Sequence, residues 1–238
     1  LHPSGPSLDP AFSSFVGRVP LLLRHGMTVG ELARLFNSQY VPQQAGCSAQ
    51  LSVIPMTGWR RDLYLDDTDL VWVPPSPNMP DITTALAYPG TCLFEGTTLS
   101  VGRGTASPFL TLGAPDLDAT RWVDSLNDAA LPGCLFREDW FTPTADVAKE
   151  QLCHGLQLAI TERRSFDPLL TGVTLLQSAL KISDRPIWRK SGATFDILAG
   201  SSTLRQQLSQ NLSVTEIMAG WKPEEAAFTQ KRRPFLLY

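Results

Sequence analysis

The chain has 238 residues, of which 43 % are hydrophobic and 18 % charged, and its net charge is −3. That length allows one large domain or two smaller ones, with enough apolar residues for a sizeable core. No basic stripe is present, and the longest apolar runs fall far short of the roughly 20 residues a bilayer demands, so neither nucleic acid nor a membrane span is expected.

The opening Leu1-His-Pro-Ser-Gly-Pro6 has no initiator Met and no charged-then-apolar signal pattern. It reads as a linker or a loop inside a longer protein. Met27–Ser38 is the clearest helix. Thr28 and Glu31 stand in capping-box spacing, and Val29, Leu32, Ala33 and Phe36 share one face. Gln50–Met56 and Leu70–Pro74 are apolar and β-leaning, which predicts strands. Pro74-Pro-Ser-Pro-Asn-Met-Pro80 then forbids regular structure and marks a junction near residues 74–82 that presents Asn78.

Beyond the junction, Ala85–Phe94 reads as a strand region broken by Pro89-Gly90. Ala119–Leu126 carries a helical apolar face, Leu135–Phe141 and Gly155–Thr161 are predicted strands, and Pro168–Lys181 is a second good helix. Leu204–Leu208 belongs to another. Ser213 and Glu216 form a second capping box ahead of Ile217 and Trp221, and Lys222-Pro223 opens a short final helix. Helices and strands interleave, so the class is α/β or mixed α+β.

Four cysteines, Cys47, Cys92, Cys134 and Cys153, lie in no zinc spacing. They read as buried free thiols, with a disulfide left open. His154 reads as a core or edge histidine. No metal or cofactor fingerprint is present: the Gly102-x-Gly104 pair lacks the third glycine of a nucleotide loop, because Ser107 stands there.

Three segments carry candidate chemistry. Arg24 and His25 precede a helix N-terminus, where free N–H groups favour anions and a guanidinium suits a carboxylate. The alternative is an internal ion pair for Arg24 and simple packing for His25. Trp59 beside Arg60 and Arg61 offers a face on which a sugar ring can stack; the alternative is a core Trp with solvated arginines. Glu95–Thr105 combines glycines, hydroxyls, Arg103 and a carboxylate, a mixture suited to a hydrophilic ligand and equally to a glycine-rich turn.

Taken together, Ser14–Gly17, Arg24–Ala33, Gly58–Arg60, Trp72–Pro80, Tyr88–Thr105, Gly113–Pro115, Leu131–Gly133 and Leu236–Tyr238 resemble the exo-β-N-acetylmuramidase family of peptidoglycan turnover. The resemblance covers essentially the whole chain. Thr98 departs from the family's Asn, and Glu162-Arg163 from its Asp-Arg. The resemblance implies that residues 1–80 are the C-terminal part of a Rossmann-like catalytic domain and residues 82–238 a smaller mixed α/β domain, with the site in the cleft between. It implies a glycosidase that releases terminal N-acetylmuramic acid from the non-reducing end of peptidoglycan fragments, in the periplasm or outside the cell. It also implies an N-terminal catalytic domain of the same protein, upstream of Leu1, without which this portion is inactive.

On that reading Glu95 is the second catalytic carboxyl or a sugar-hydroxyl acceptor. Arg24 or Arg103 pairs with the lactyl carboxylate, Asn78, Ser100 and Thr105 hold hydroxyls or the acetamide, and His25 and Trp59 complete the subsite. The alternative function is a non-catalytic muropeptide-binding or scaffolding module, with the Glu95–Thr105 loop in a structural role.

Overall fold

A computed structural model describes residues 2–238. The class is mixed α/β, as the interleaved pattern predicts. It is built from two small antiparallel sheets and a helical layer. Strands β1 (Ser4–Ser7) and β2 (Leu22–Arg24) form a two-stranded ribbon that leads into helix α1 (Val29–Gln39) and the short α2 (Val41–Ala45). The capping box closes as predicted. Glu31 N–H donates to Thr28 Oγ1 at 3.3 Å, and Thr28 N–H donates to the Glu31 carboxylate at 2.8 Å. The buried side of α1 is set by Leu35 and Glu31 rather than by Val29, which is 85 % exposed. Leu22, Met27, Leu35 and Phe228 make a small core here.

Residues 46–80 are almost wholly irregular. The two strands predicted at Gln50–Met56 and Leu70–Pro74 do not form. The chain runs extended in places but finds no edge to pair with, and β propensity without a partner strand does not make a sheet. Ile54, Val71 and Val73 are each at least 75 % exposed. The proline loop is pinned locally, with Trp72 Nε1–H donating to Met79 O at 3.3 Å.

Helix α3 (Ile82–Thr91) replaces the strand predicted at Ala85–Phe94. Asp81 caps it by accepting from Thr84 N–H at 2.8 Å. Pro89 falls in its last turn, and Gly90 lies against the backbone of Gly172. The main sheet has the order β3-β5-β4, from β3 (Thr111–Ala114), β4 (Cys134–Phe141) and β5 (Cys153–Ile160), all antiparallel. Helix α4 (Ala119–Asp128) and helix α5 (Pro168–Ile182) pack near it, so that Trp122, Leu126, Phe136, Leu156, Leu158, Leu169 and Leu176 fall in one large core.

Helices α6 (Ala193–Ala199), α7 (Thr203–Ser209) and α8 (Val214–Arg232) complete the chain. The short helix predicted to start at Lys222 is instead the continuation of α8, with Pro223 inside it. Proline removes one helical bond. Here Pro223 and Ala219, whose carbonyl loses its donor, both face solvent, so water can satisfy that oxygen. The cysteines are free: Cys47 is exposed, Cys92 is partly buried, and Cys134 and Cys153 are buried. No helix among the described residues is long and apolar enough to cross a membrane.

Candidate functional site

The predicted site residues fall into three places. The first is a loop cluster around Glu95–Thr105. A 3-10 turn (Cys92–Gly96) sets Glu95 at the end of α3, and the following chain is anchored by backbone pairing of Ser100 with Gly113 of β3. Gly102 (φ +68°) and Gly104 (φ +77°) lie in the left-handed region, where a Cβ is strained. A side chain at Gly104 would also strike Thr144. Ser100 is buried and accepts from Gly102 N–H at 3.2 Å; Thr105 donates to Gly102 O at 2.7 Å. Asn78 reaches the loop from the proline segment, its Oδ1 accepting from Gly104 N–H at 3.4 Å. Thr144 donates to Gly104 O at 3.1 Å from the other side.

Arg103 organises this cluster. Its Nε donates to Glu95 Oε1 at 3.0 Å, its second donor meets the same oxygen, and its guanidinium lies over the Phe109 ring at 5.1 Å from the centroid. Asp146 approaches Arg103 at 3.7 Å and, through its other oxygen, Arg189 at 3.8 Å, while Arg189 also donates to Glu95 O at 3.2 Å. Two carboxylates and two guanidiniums therefore alternate along one edge of the loop. Asp146 has φ +63°, and Lys190 and Ser191, next to Arg189, have φ +48° and +54°. Such conformations cost free energy in non-glycine residues and gather at ligand sites. Asp146 and Arg189 were not legible in the sequence, because nothing in their local pattern announces a left-handed backbone or a contact with residue 103.

The second place is a structural knot. Glu31 is fully buried and accepts from Arg61, from Leu237 N–H at 2.9 Å and from Thr28 N–H. Gly26 O accepts from both Arg61 (2.8 Å) and Arg232 (2.6 Å). His25 Nδ1 accepts from Met27 N–H at 3.1 Å. Burial, and then the positive charge of Arg232, push the His25 pKa below its usual value. His25 is thus a neutral acceptor inside the turn. Trp59 is flanked by Tyr238, with centroids 4.6 Å apart, and by the Arg61 guanidinium at 5.2 Å. His25 therefore packs within the turn, while Trp59 is half-buried and Arg61 is held by Glu31 rather than solvated.

The third place is a cleft of about 540 Å³. It is lined by residues 2–4, Arg24 and Arg61–Tyr64 together with Leu86, Arg163–Asp167, Lys222 and Glu225. Arg24 lines this cleft and, among the described residues, joins neither the loop cluster nor an internal ion pair. Tyr64 carries the Arg163 guanidinium over its ring at 4.1 Å and donates to Arg163 O at 3.0 Å.

Comparison with known proteins falls on the same division. The family description "Exo-beta-N-acetylmuramidase NamZ, N-terminal" matches residues 1–83, and its C-terminal counterpart matches residues 86–238. The chain belongs to the exo-β-N-acetylmuramidase NamZ family. Among NamZ relatives, the peptidoglycan β-N-acetylmuramidase NamZ of Bacillus subtilis (strain 168) is 39 % identical over 237 residues, covering all of this chain and 56 % of its own length. The chain therefore spans about half of that NamZ protein. Two crystal structures of DUF1343 family proteins from Bacteroides fragilis superpose on the whole chain. One has a TM-score of 0.88 at 27 % identity and is covered over 63 % of its length; the other has 0.78 at 30 % and is covered over 62 %. The cleft of about 540 Å³ is lined by residues of both matched NamZ regions.

Proposed function

We propose that the chain is part of a glycoside hydrolase that releases terminal N-acetylmuramic acid from the non-reducing end of peptidoglycan fragments. The observation that carries this reading is the match of the whole chain to about half of a relative named as a peptidoglycan β-N-acetylmuramidase. The loop cluster supports it from the chemistry. Glycosidic cleavage needs carboxyl groups held in fixed positions, and Glu95 and Asp146 are so held by Arg103 and Arg189. Glu95 accepts two bonds from one guanidinium, an arrangement that favours an acceptor or positioning role over proton donation. Within the loop cluster Arg103 pairs with the lactyl carboxylate, and Asn78, Ser100 and Thr105 line the sugar side; Arg24, which lies apart from this cluster, stands outside that subsite.

The remaining catalytic groups belong to an N-terminal domain of the same protein. Nine of the thirteen exposed large apolar side chains, among them Phe15, Val29, Ile54 and Val71, fall in the region matched by the N-terminal NamZ description. Such a concentration suits a surface covered by further chain. By the nature of its substrate, the protein works in the periplasm or outside the cell. The observation that favours the second reading, a non-catalytic muropeptide-binding or scaffolding module, is the Glu95–Arg103 pair itself, since it satisfies the loop from within.

The test is release of N-acetylmuramic acid from a chromogenic β-glycoside by a protein extended to the length of the Bacillus relative. Hydrolysis that falls at least tenfold in Glu95→Gln supports the first reading. Binding of muropeptide with no release of sugar supports the second.

A further inference from the structure

Outside the loop cluster and the cleft, one group of side chains on the main sheet is held firmly without serving the core. The register puts Ala114, His154 and Trp140 in a single row across β3, β5 and β4, two positions along from the row of Leu112, Leu156 and Glu138. Side chains two positions apart on a strand share a face, so both rows look the same way. Leu112 and Leu156 are buried, whereas Trp140, on the edge strand β4, is 58 % exposed. Its ring lies parallel to that of His154, with centroids 3.9 Å apart and planes at 11°. His154 Nε2 meets Glu138 Oε1 at 2.6 Å, and the other Glu138 oxygen accepts from Thr120, in the first turn of α4, at 2.8 Å. Those bonds, that from His154 foremost, hold the Glu138 carboxyl below its ordinary value. An ionised carboxylate only accepts, so Nε2 carries the proton and the imidazole is fixed under the indole.

The result is an exposed aromatic face on a rigid support, with an ionised acceptor beside it. Such a face is apolar and electron-rich, so the C–H groups of a pyranose ring can lie on it while the hydroxyls project sideways. Each Glu138 oxygen accepts one bond and keeps a lone pair for a hydroxyl. An apolar protein surface laid over Trp140 would instead strip water from that carboxylate and give nothing back. The chemistry of the patch therefore selects an amphipathic ring. The other end of the row leads toward the candidate loop. Ala114 lines a cavity of about 420 Å³ together with Thr98 of the Glu95–Thr105 loop, Val147 next to Asp146, and Gln151. Neighbouring strands lie about 4.8 Å apart, so the row extends about 10 Å from Ala114 out to Trp140.

We propose that Trp140, positioned by His154 and flanked by Glu138, is a glycan-binding platform that holds one unit of a β-linked N-acetylhexosamine chain, with the chain running on through the Ala114 cavity. That the glycan is peptidoglycan rests on the hydrolase reading above; the platform itself does not. It lies apart from the cleft and needs no acidic substituent on the sugar.

Isothermal titration of this chain with chitotetraose and with N-acetylglucosamine decides it. Both probes are neutral, and only the tetramer can reach from the cavity to the platform. The tetramer is expected to bind about tenfold more tightly than the monosaccharide. Trp140→Ala removes that advantage, whereas Trp140→Phe keeps a ring and stays within about threefold of the wild type. Glu138→Gln weakens the tetramer about threefold, and Leu135→Ala, exposed on the opposite face of β4, leaves it unchanged. The phenylalanine and glutamine variants test the site even if Trp140→Ala fails to fold. The proposal falls if the tetramer does not bind, if it binds no better than N-acetylglucosamine, or if Trp140→Ala binds it as well as the wild type does. It falls equally if Trp140 proves to be covered by a second copy of the chain, seen as a dimer in sedimentation that Trp140→Ala dissociates while the tetramer binds neither form. Tetramer binding that depends on Trp140, together with failure of the longer protein to release sugar, sinks the hydrolase reading and leaves the platform standing. Release of sugar without tetramer binding sinks the platform alone.

Discussion

Arg103→Ala removes a guanidinium that meets Glu95, approaches Asp146 and covers the Phe109 ring. Both partners of the main pair are about three-quarters buried, with side-chain exposures of 27 % and 21 %. A charge-assisted hydrogen bond contributes about 1.5–3 kcal/mol when well shielded, and exposed pairs contribute at most about 1. A pair of this exposure lies between, so the variant loses about 1–2 kcal/mol of stability. For a chain of this size each kcal/mol moves the midpoint about 2–4 °C, which gives a fall in Tm of about 2–8 °C. Thermal and urea unfolding of the wild type, Arg103→Ala, Glu95→Gln and the double variant give the coupling energy, expected near 1 kcal/mol. Coupling below about 0.3 kcal/mol, with Tm unchanged, would refute the claim that this pair holds the loop. Arg103 would then be free to serve a ligand alone.

Stability is expected to fall with acid. Burial raises the Glu31 pKa, but the bonds from Arg61 and from the Leu237 and Thr28 N–H groups outweigh it, so the net shift is downward from 4.5. A depressed carboxyl contributes stability that is whole above its unfolded value and is lost as pH falls through the folded one. His25, depressed from 6.5 by burial and by Arg232, acts in the same direction at higher pH, because the unfolded chain takes up its proton first. Tm measured between about pH 7 and about pH 4 falls throughout. His25→Asn, which keeps an acceptor for Met27 N–H, flattens the upper part of that curve; an unaltered curve there would exclude His25 as its source. Gly172→Ala places a methyl about 2.6 Å from the Gly90 backbone where α3 crosses α5, and should cost about 2–3 kcal/mol in urea unfolding; a loss under 1 would show that the helices separate freely. Burial pushes the Cys92 thiol up to about 12 and Cys153 to about 11, and raises Cys134 as well, while Cys47 is exposed. A chromogenic disulfide reagent at mildly alkaline pH should label one thiol in the folded protein and all four in denaturant. Rapid labelling of a second thiol before unfolding would contradict the burial.

Local features were readable in the chain. Both capping boxes form, because Thr28 with Glu31, and Ser213 with Glu216, each complete their bonds within one turn. Helix α5 and the β4–β5 pair follow from apolar periodicity, since each has one face against the core. The sequence also singled out the Glu95–Thr105 loop by its mixture of glycines, hydroxyls and charges, without deciding between a ligand loop and a glycine-rich turn. The errors came where a distant partner decides. Ala85–Phe94 has apolar residues that fit a strand, yet the Asp81 cap and the close fit of Gly90 on Gly172 make it a helix. The segments near residues 54 and 72 have strand-like composition and no strand beside them to pair with.

The candidate site divides in the same way. Sequence alone determined the residue types and the family resemblance, because those reside in contiguous motifs. The motif around residues 24–33 could not reveal its own division of labour. Glu31 and His25 turn inward to hold Arg61, Leu237 and Met27, while Arg24 lines a cleft shared with residues about 140 positions away in the chain. Tertiary structure alone brought Asp146 to Arg103 and Arg189 to Asp146, and put Arg24 and Arg164 on the lining of one cleft. Ion pairing depends on separation in space, and on which opposite charges are already occupied, and neither quantity is written along a single segment.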